Sequence, residues 1–203
     1  MDGVFIGGCW PGECHYLTEG NYLAYSTVNI GRKLMQFIGI NRDRLRLEWI
    51  SAAEGSRFAG LMNDFSETVK NIGPLKDDAD RYETRLETVK RLIPYIKLVE
   101  RERLRVPVRT EEAYEKFYES EEFDSLFKEL IEEKLYLSEM ATLLCIKPQS
   151  SEEIAAAMNL PPSEVSRLLS SSSRYGLVDY NTEDRVYTAA RKIQSFIRRN
   201  EDA

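Results

Sequence analysis

Histidine is almost missing from this chain: one residue, His15, in 203. That excludes the usual Ser–His–Asp and Cys–His arrangements beyond a single site, and no hydrolase or transferase constellation can be assembled. Cysteine is scarce and odd in number, with Cys9 and Cys14 close together and Cys145 far away. A disulfide framework is not expected, and a reducing, cytoplasmic setting follows. No apolar run approaches the roughly 18–20 residues of a membrane-spanning helix. The first residues lack a basic segment leading into an apolar one, so no signal peptide is expected. Basic residues are in deficit, 28 Lys+Arg against 34 Asp+Glu for a net charge of −6. Binding to DNA, RNA or an anionic membrane depends on clustered cations, so none of these is a natural partner.

What is present is enough for a core. Hydrophobic residues make up 42% and charged residues 31%, a balance that suits a mostly helical protein with wet outer faces. Composition divides the chain into three parts: residues 1–75, which hold most of the glycines; a strongly charged stretch, 76–135; and residues 136–203. The first part opens with Val4-Phe5-Ile6 running into Gly7-Gly8, the pattern of a short buried strand entering a tight loop. A helix is expected over residues 21–38, with Val28, Leu34, Met35, Phe37 and Ile38 on its apolar face and Gly39 as its stop. Leu45 and Leu47 alternate with Arg44, Arg46 and Glu48 before Trp49-Ile50, which predicts a second strand. Ser51 then precedes a helix over roughly 55–72 that ends at Gly73-Pro74. Strand–loop–helix–strand–helix is half of an α/β unit. Half a unit leaves a sheet edge and apolar surface uncovered, so a lone monomer is expected to be unstable.

The middle part reads as helical. Leu86, Val89, Leu92 and Ile93 fall at helical spacing before Pro94. Tyr114, Phe117 and Tyr118 start another stripe, as do Phe123, Leu126, Phe127, Leu130 and Ile131. Val106-Pro107-Val108 breaks the run between them. In the last part Leu137–Leu144 predicts a helix. Ser150 with Glu153 forms a capping-box signature for a second, with Ile154, Ala155 and Met158 inward. Leu160-Pro161-Pro162 makes a turn, and Val165, Leu168 and Leu169 face inward from a third helix. Short strands are expected around Asp179-Tyr180 and Val186–Thr188. Three helices and a two-stranded wing have the order of a winged helix-turn-helix. The expected fold class is therefore an α/β half-domain followed by a helical segment and a C-terminal winged helix-turn-helix.

The chemistry lies in the loop after the first strand, Cys9-Trp10-Pro11-Gly12-Glu13-Cys14-His15-Tyr16. Thiolates are the usual ligands of iron–sulfur clusters, and a loop bearing Gly and Pro lets backbone N–H groups approach cluster sulfur. On spacing alone, two free surface thiols fit as well as a ligand pair, and two thiolates are half of the four that a plain cluster takes. His15 could tune a neighbouring cluster through a hydrogen bond, replace a thiolate as ligand, or simply bond to backbone. Trp10 and Tyr16 either shield the loop or pack it. Trp49 is expected in the core, Glu54 at a helix cap, and Cys145 as a small core residue.

The words around the pair resemble one family. Gly8 to Tyr16, then Gly20-Asn21-Tyr22, then Leu45 to Gly55, and finally Gly73-Pro74 are similar, in order, to the delta (iron–sulfur) subunit of methyl-viologen-reducing hydrogenase. The resemblance spans about residues 2–75. It implies a 2Fe–2S cluster held in part by Cys9 and Cys14. It also implies a relay of electrons between a hydrogenase or formate dehydrogenase and the flavin-bearing subunit of heterodisulfide reductase, with no small-molecule substrate of its own. The family's N-terminal half, with its further cysteines, has no counterpart here. The remaining ligands are therefore expected from a missing half or from a partner chain.

Two other readings stand beside the relay. One is a redox-responsive regulator whose winged helix reads DNA; the other is a docking scaffold without a cluster. Arg167 and Arg174 are the only cations near the expected reading face, and the wing carries Glu183 and Asp184 against Arg185. Arg191, Lys192, Arg198 and Arg199 form a modest basic patch. Specific readers need several groups for phosphates and base edges, so protein–protein contact is the better expectation.

Overall fold

The computed structural model describes residues 1–16, 19–75 and 79–191. The chain divides into two compact units, Met1–Ile131 and Glu132–Ala203, and its class is mixed α/β, mostly helical with two small sheets.

The first unit begins with β1 (Val4–Gly8), α1 (Gly20–Ile38), a 3₁₀ turn (Arg42–Arg44), β2 (Leu45–Trp49) and α2 (Gly55–Ile72). β1 and β2 pair in parallel, from Val4 opposite Leu45 to Gly8 opposite Trp49. A parallel pair needs a long crossover, and α1 supplies it. The apolar face foreseen for α1 is the buried one, with Val28, Leu34, Phe37 and Ile38 inside. Gly39 ends the helix at φ 97°, its N–H bonded to the carbonyls of Met35 and Gln36, a backbone state that a side chain would strain. Arg44 is buried and donates to the carbonyls of Asp2 at 2.7 Å and Gly73 at 2.8 Å. One guanidinium thus ties the start of β1 to the end of α2. The strands carry no fully buried residue, although parallel strands are normally covered on both faces. Phe5 meets Phe58 and Phe65 of α2 at 6.1 and 5.7 Å between ring centres, yet Phe58 stays 47% and Val4 43% exposed.

The unit continues with α3 (Ala79–Glu102), α4 (Glu111–Tyr118), α5 (Glu121–Phe127) and a π-helical turn, Lys128–Glu132. The stripe read before Pro94 belongs to a longer helix, since α3 passes through this proline. Proline removes a hydrogen bond and crowds the preceding turn. Here Val89 before it and Ile96 and Val99 after it are all buried, and that burial holds the two halves in one helix. Leu86 and Ile93 point outward, at 38% and 41% exposure, so the buried face of α3 is set by Val89, Ile96 and Val99 instead. The helix ends before the Val106–Val108 break, as expected.

The second unit contains α6 (Glu133–Ile146), α7 (Ser151–Met158), α8 (Pro162–Arg174), β3 (Val178–Asn181) and β4 (Val186–Ala189). Ser150 accepts from the Glu153 N–H while the Glu153 carboxylate accepts from the Ser150 N–H, the reciprocal cap read from the sequence. Met140, Leu144, Ile154, Met158, Val165, Leu168 and Val178 form one core, and Cys145 packs half-buried against it. β3 and β4 are antiparallel, with Tyr180 opposite Tyr187. Of the basic patch, Lys192, Arg198 and Arg199 lie outside the described residues.

Candidate metal centre

Trp10, Pro11, Gly12 and Glu13 form the turn that places the two cysteines. The Glu13 N–H donates to the Trp10 carbonyl at 2.9 Å, and Gly12 has φ 89°. Proline at the second position and a positive-φ glycine at the third are the requirements of a type II turn. Cys9 and Cys14 flank this turn, so the chain reverses direction between them. No disulfide joins any of the three cysteines.

Each cysteine is held differently. Cys9 follows the last residue of β1 and is exposed. Its carbonyl accepts a hydrogen bond from the side-chain amide of Asn21, which is itself buried. Cys14 is 9% exposed and lies against the first residue of α1: a Cβ added to Gly20 would stand 2.5 Å from the Cys14 Sγ. Neither Gly20 nor Asn21 was assigned a role from the sequence. The signal was there in the word Gly-Asn-Tyr at a helix start, where glycine permits close approach and asparagine offers a short donor. The first turn of α1 carries no acidic residue, and Glu19 makes no side-chain cap. The start of α1, with Glu19 at its N-cap position, thus packs against the Cys14 sulfur.

The flanking aromatic residues split their roles. Trp10 packs the loop: its Nε1 donates to Glu54 at 2.8 Å, and the Arg57 guanidinium lies 4.6 Å above its ring. Glu54 occupies the cap position of α2 but makes no cap bond. Its carboxylate instead accepts from the Ser51 N–H at 2.7 Å and from Trp10. The expectation of a helix cap is corrected here: both hydrogen bonds hold Oε2 on the loop side, and Oε1 faces the Arg57 guanidinium at 3.6 Å rather than a helix N–H. The Ser51 N–H first, and Trp10 next, hold the Glu54 carboxyl below its usual range. Trp49, expected in the core, is half-buried. It lies on the backbone of Gly8, where a Cβ would come within 2.7 Å of its ring. Pro11, Asn21, Tyr22 and Trp49 leave between them and their neighbours a crevice of only about 10 Å³. His15 and Tyr16 are both exposed, their rings edge to face at 5.3 Å.

Two thiols are the donor type that an iron–sulfur cluster takes, and the turn offers one at the surface on Cys9 and one beside the start of α1 on Cys14. It does not offer a whole site: among the described residues no three His, Cys, Asp or Glu side chains come together as a metal group.

Residues 1–73 match the family described as methyl-viologen-reducing hydrogenase, delta subunit. That segment is similar to a delta-subunit domain. The chain is 48% identical over 75 residues to the iron-sulfur subunit of the F420-non-reducing hydrogenase of Archaeoglobus profundus, covering 37% of this chain and 54% of that one. It is 47% identical over 73 residues to the vhc iron-sulfur subunit of the F420-non-reducing hydrogenase of Methanococcus voltae, covering 36% and 50%. It is also 43% identical over 74 residues to one subunit of the ferredoxin/F420H2-dependent CoB-CoM heterodisulfide reductase of Methanosarcina acetivorans, covering 36% of this chain and 9% of that subunit. The chain thus spans about half the length of the hydrogenase subunits it matches. Cys9, Cys14, Gly20, Asn21, Trp49 and Glu54 all lie inside the matched segment, and residues 74–203 lie outside it.

Proposed function

We propose that this protein is an electron-transfer subunit in which Cys9 and Cys14 hold an iron–sulfur cluster, of the 2Fe–2S type. The observation that carries this reading is the pair of cysteines fixed at the two ends of one type II turn, within the segment that matches the delta subunit. When bound, such a cluster supplies one-electron transfer without a substrate pocket. The chain's own residues do the rest. Pro11 and Gly12 set the turn, Asn21 anchors the Cys9 carbonyl, and the helix start at Gly20 fixes the place of the Cys14 sulfur. The exposure of Cys9 leaves one side of the loop open to a partner. The other ligands come from outside residues 1–203. His15, exposed and next to Cys14, acts through hydrogen bonding and not as a ligand.

The partners on this reading are the flavin subunit of a heterodisulfide reductase and a hydrogenase or formate dehydrogenase, in the cytoplasm. No described helix is long and apolar enough to cross a membrane. In this account residues 1–75 are the delta-subunit part, 76–135 a charged helical segment and 136–203 a winged helix. The last of these serves docking rather than DNA reading. Arg167 on α8 is engaged by Glu164 at 3.1 Å and Glu133 at 3.0 Å, and the β3–β4 turn presents Glu183 and Asp184. Guanidiniums paired in this way are not available to neutralise phosphates.

Anaerobic purification from the native host, with the co-purifying chains identified, tests the assignment. Oxidoreductase subunits are expected to accompany the protein. Isolation without them, together with DNA binding that weakens steeply with salt, would establish the regulator instead.

A further inference from the structure

The sequence pattern foresaw no small-molecule site, yet the first unit holds a cavity of about 530 Å³ lined by α1, the end of α3, the segment after it and α4. That volume lies in the range of small-ligand sites. Its floor is polar and fixed. Glu100, 8% exposed, accepts hydrogen bonds from Ser26 at 2.8 Å, Thr27 at 3.2 Å and Lys97 at 2.8 Å. Tyr118 donates to the Ser26 hydroxyl at 2.6 Å. A carboxylate offers about four acceptor sites, so Glu100 keeps one for a donor on a ligand.

One wall is aromatic. Tyr22 and Tyr114 stand 4.9 Å apart between ring centres, tilted by 38°, and the Tyr22 hydroxyl is fixed by the Arg109 carbonyl at 2.8 Å. The rim is cationic: Arg101, Arg105 and Arg109 follow Lys97 at four-residue intervals and all border the cavity. Four cations border the cavity beside Glu19 and Glu100; Lys97 is engaged by Glu100 and the Arg101 Nε by Glu102, each at 2.8 Å, which leaves the Arg101 Nη groups and Arg105 for a ligand, in a chain whose net charge is −6. Positive charge is therefore gathered here against the trend of the molecule.

We propose that this cavity binds a nucleotide as a ligand. Arg101 and Arg105 take the phosphate, for which the planar guanidinium fork is suited. The aromatic wall takes the base, and the open acceptor of Glu100 takes a ribose or base donor. An acidic peptide would satisfy the arginines but match neither the tyrosine ledge nor Glu100. Tyr22 directly follows Asn21, so the helix turn that anchors the Cys9 carbonyl also borders the ligand.

Calorimetric titration of the purified 203-residue protein with AMP, ADP, ATP and FMN tests this, with inorganic phosphate and polyglutamate as comparison probes. Saturable binding of at least one nucleotide is expected. An Arg101→Glu/Arg105→Glu double variant should bind it about 100-fold more weakly, since each charged hydrogen bond lost is worth about tenfold or more. Leu23→Trp, at an exposed position on the cavity wall, should weaken binding by filling the mouth without a change of charge or of melting temperature. No nucleotide binding would overturn the proposal. So would equal affinity for inorganic phosphate, binding of polyglutamate alone, or an affinity unmoved by both variants.

Discussion

Replacing Gly20 by alanine separates the position of one thiol from the stability of the fold. The added Cβ would stand 2.5 Å from the Cys14 Sγ, whereas ordinary contact begins near 3.4 Å. The sulfur must therefore move by about 1 Å, far beyond the roughly 0.2 Å tolerance of a metal–ligand distance. The backbone does not resist the change, since Gly20 is not among the positive-φ glycines. Alanine in a helix gains up to about 0.5–1 kcal/mol over glycine, and an off-rotamer Cys14 costs about 0.5–1.5 kcal/mol. These offset one another within about 1 kcal/mol, so the melting temperature should move by no more than about 2–4 °C. Cluster iron, measured chemically and by electron paramagnetic resonance on the anaerobic complex, should fall sharply. Full iron with an unchanged spectrum in a normally folded Gly20→Ala protein would show that the place of Cys14 does not matter to the cluster. A collapsed fold would show that the packing argument is wrong.

Three further outcomes follow from the same geometry. Gly12→Ala meets no neighbour within 4 Å but must adopt φ 89°, so thermal melts should show a loss of about 1–2 kcal/mol from backbone strain alone. The Glu54 carboxyl is held below its ordinary value of 4.5 by the Ser51 N–H and Trp10. Its contribution is present above that value and is lost as pH falls through the lower folded one, so the melting difference between wild type and Glu54→Gln should shrink below about pH 4.5. Burial pushes the Tyr118 phenol up to about 12 from 10.0. The stability this confers is intact below pH 10 and is lost as pH rises toward 12, a loss that Tyr118→Phe should abolish in alkaline melts.

Much of the architecture was legible because local signals agreed with one another. Gly39 and Gly73 marked the ends of α1 and α2, alternation in Leu45–Glu48 marked β2, and Ser150 with Glu153 marked the start of α7. Pro11-Gly12 between two cysteines already implied the turn on which the candidate site rests. What stayed hidden depends on distant packing. No local pattern shows that Glu54 turns away from its helix toward Trp10, forty-four residues earlier. Nor does it show that burial on both sides carries α3 through Pro94. The cavity was illegible for the same reason: within the strongly charged stretch nothing local shows that α1 and α4 bring tyrosines and Ser26 beside Lys97, Arg101, Arg105 and Arg109.

The central claim is that Cys9 and Cys14 ligate a cluster in an electron-transfer complex. The direct test is iron, sulfide and electron paramagnetic resonance analysis of the complex purified anaerobically from the native host, with and without Cys9→Ser and Cys14→Ser. The account predicts a reducible cluster signal that each substitution removes while partners remain bound. A signal retained in both variants, or partners bound with no cluster iron attributable to this chain, would contradict it and leave a docking scaffold in its place.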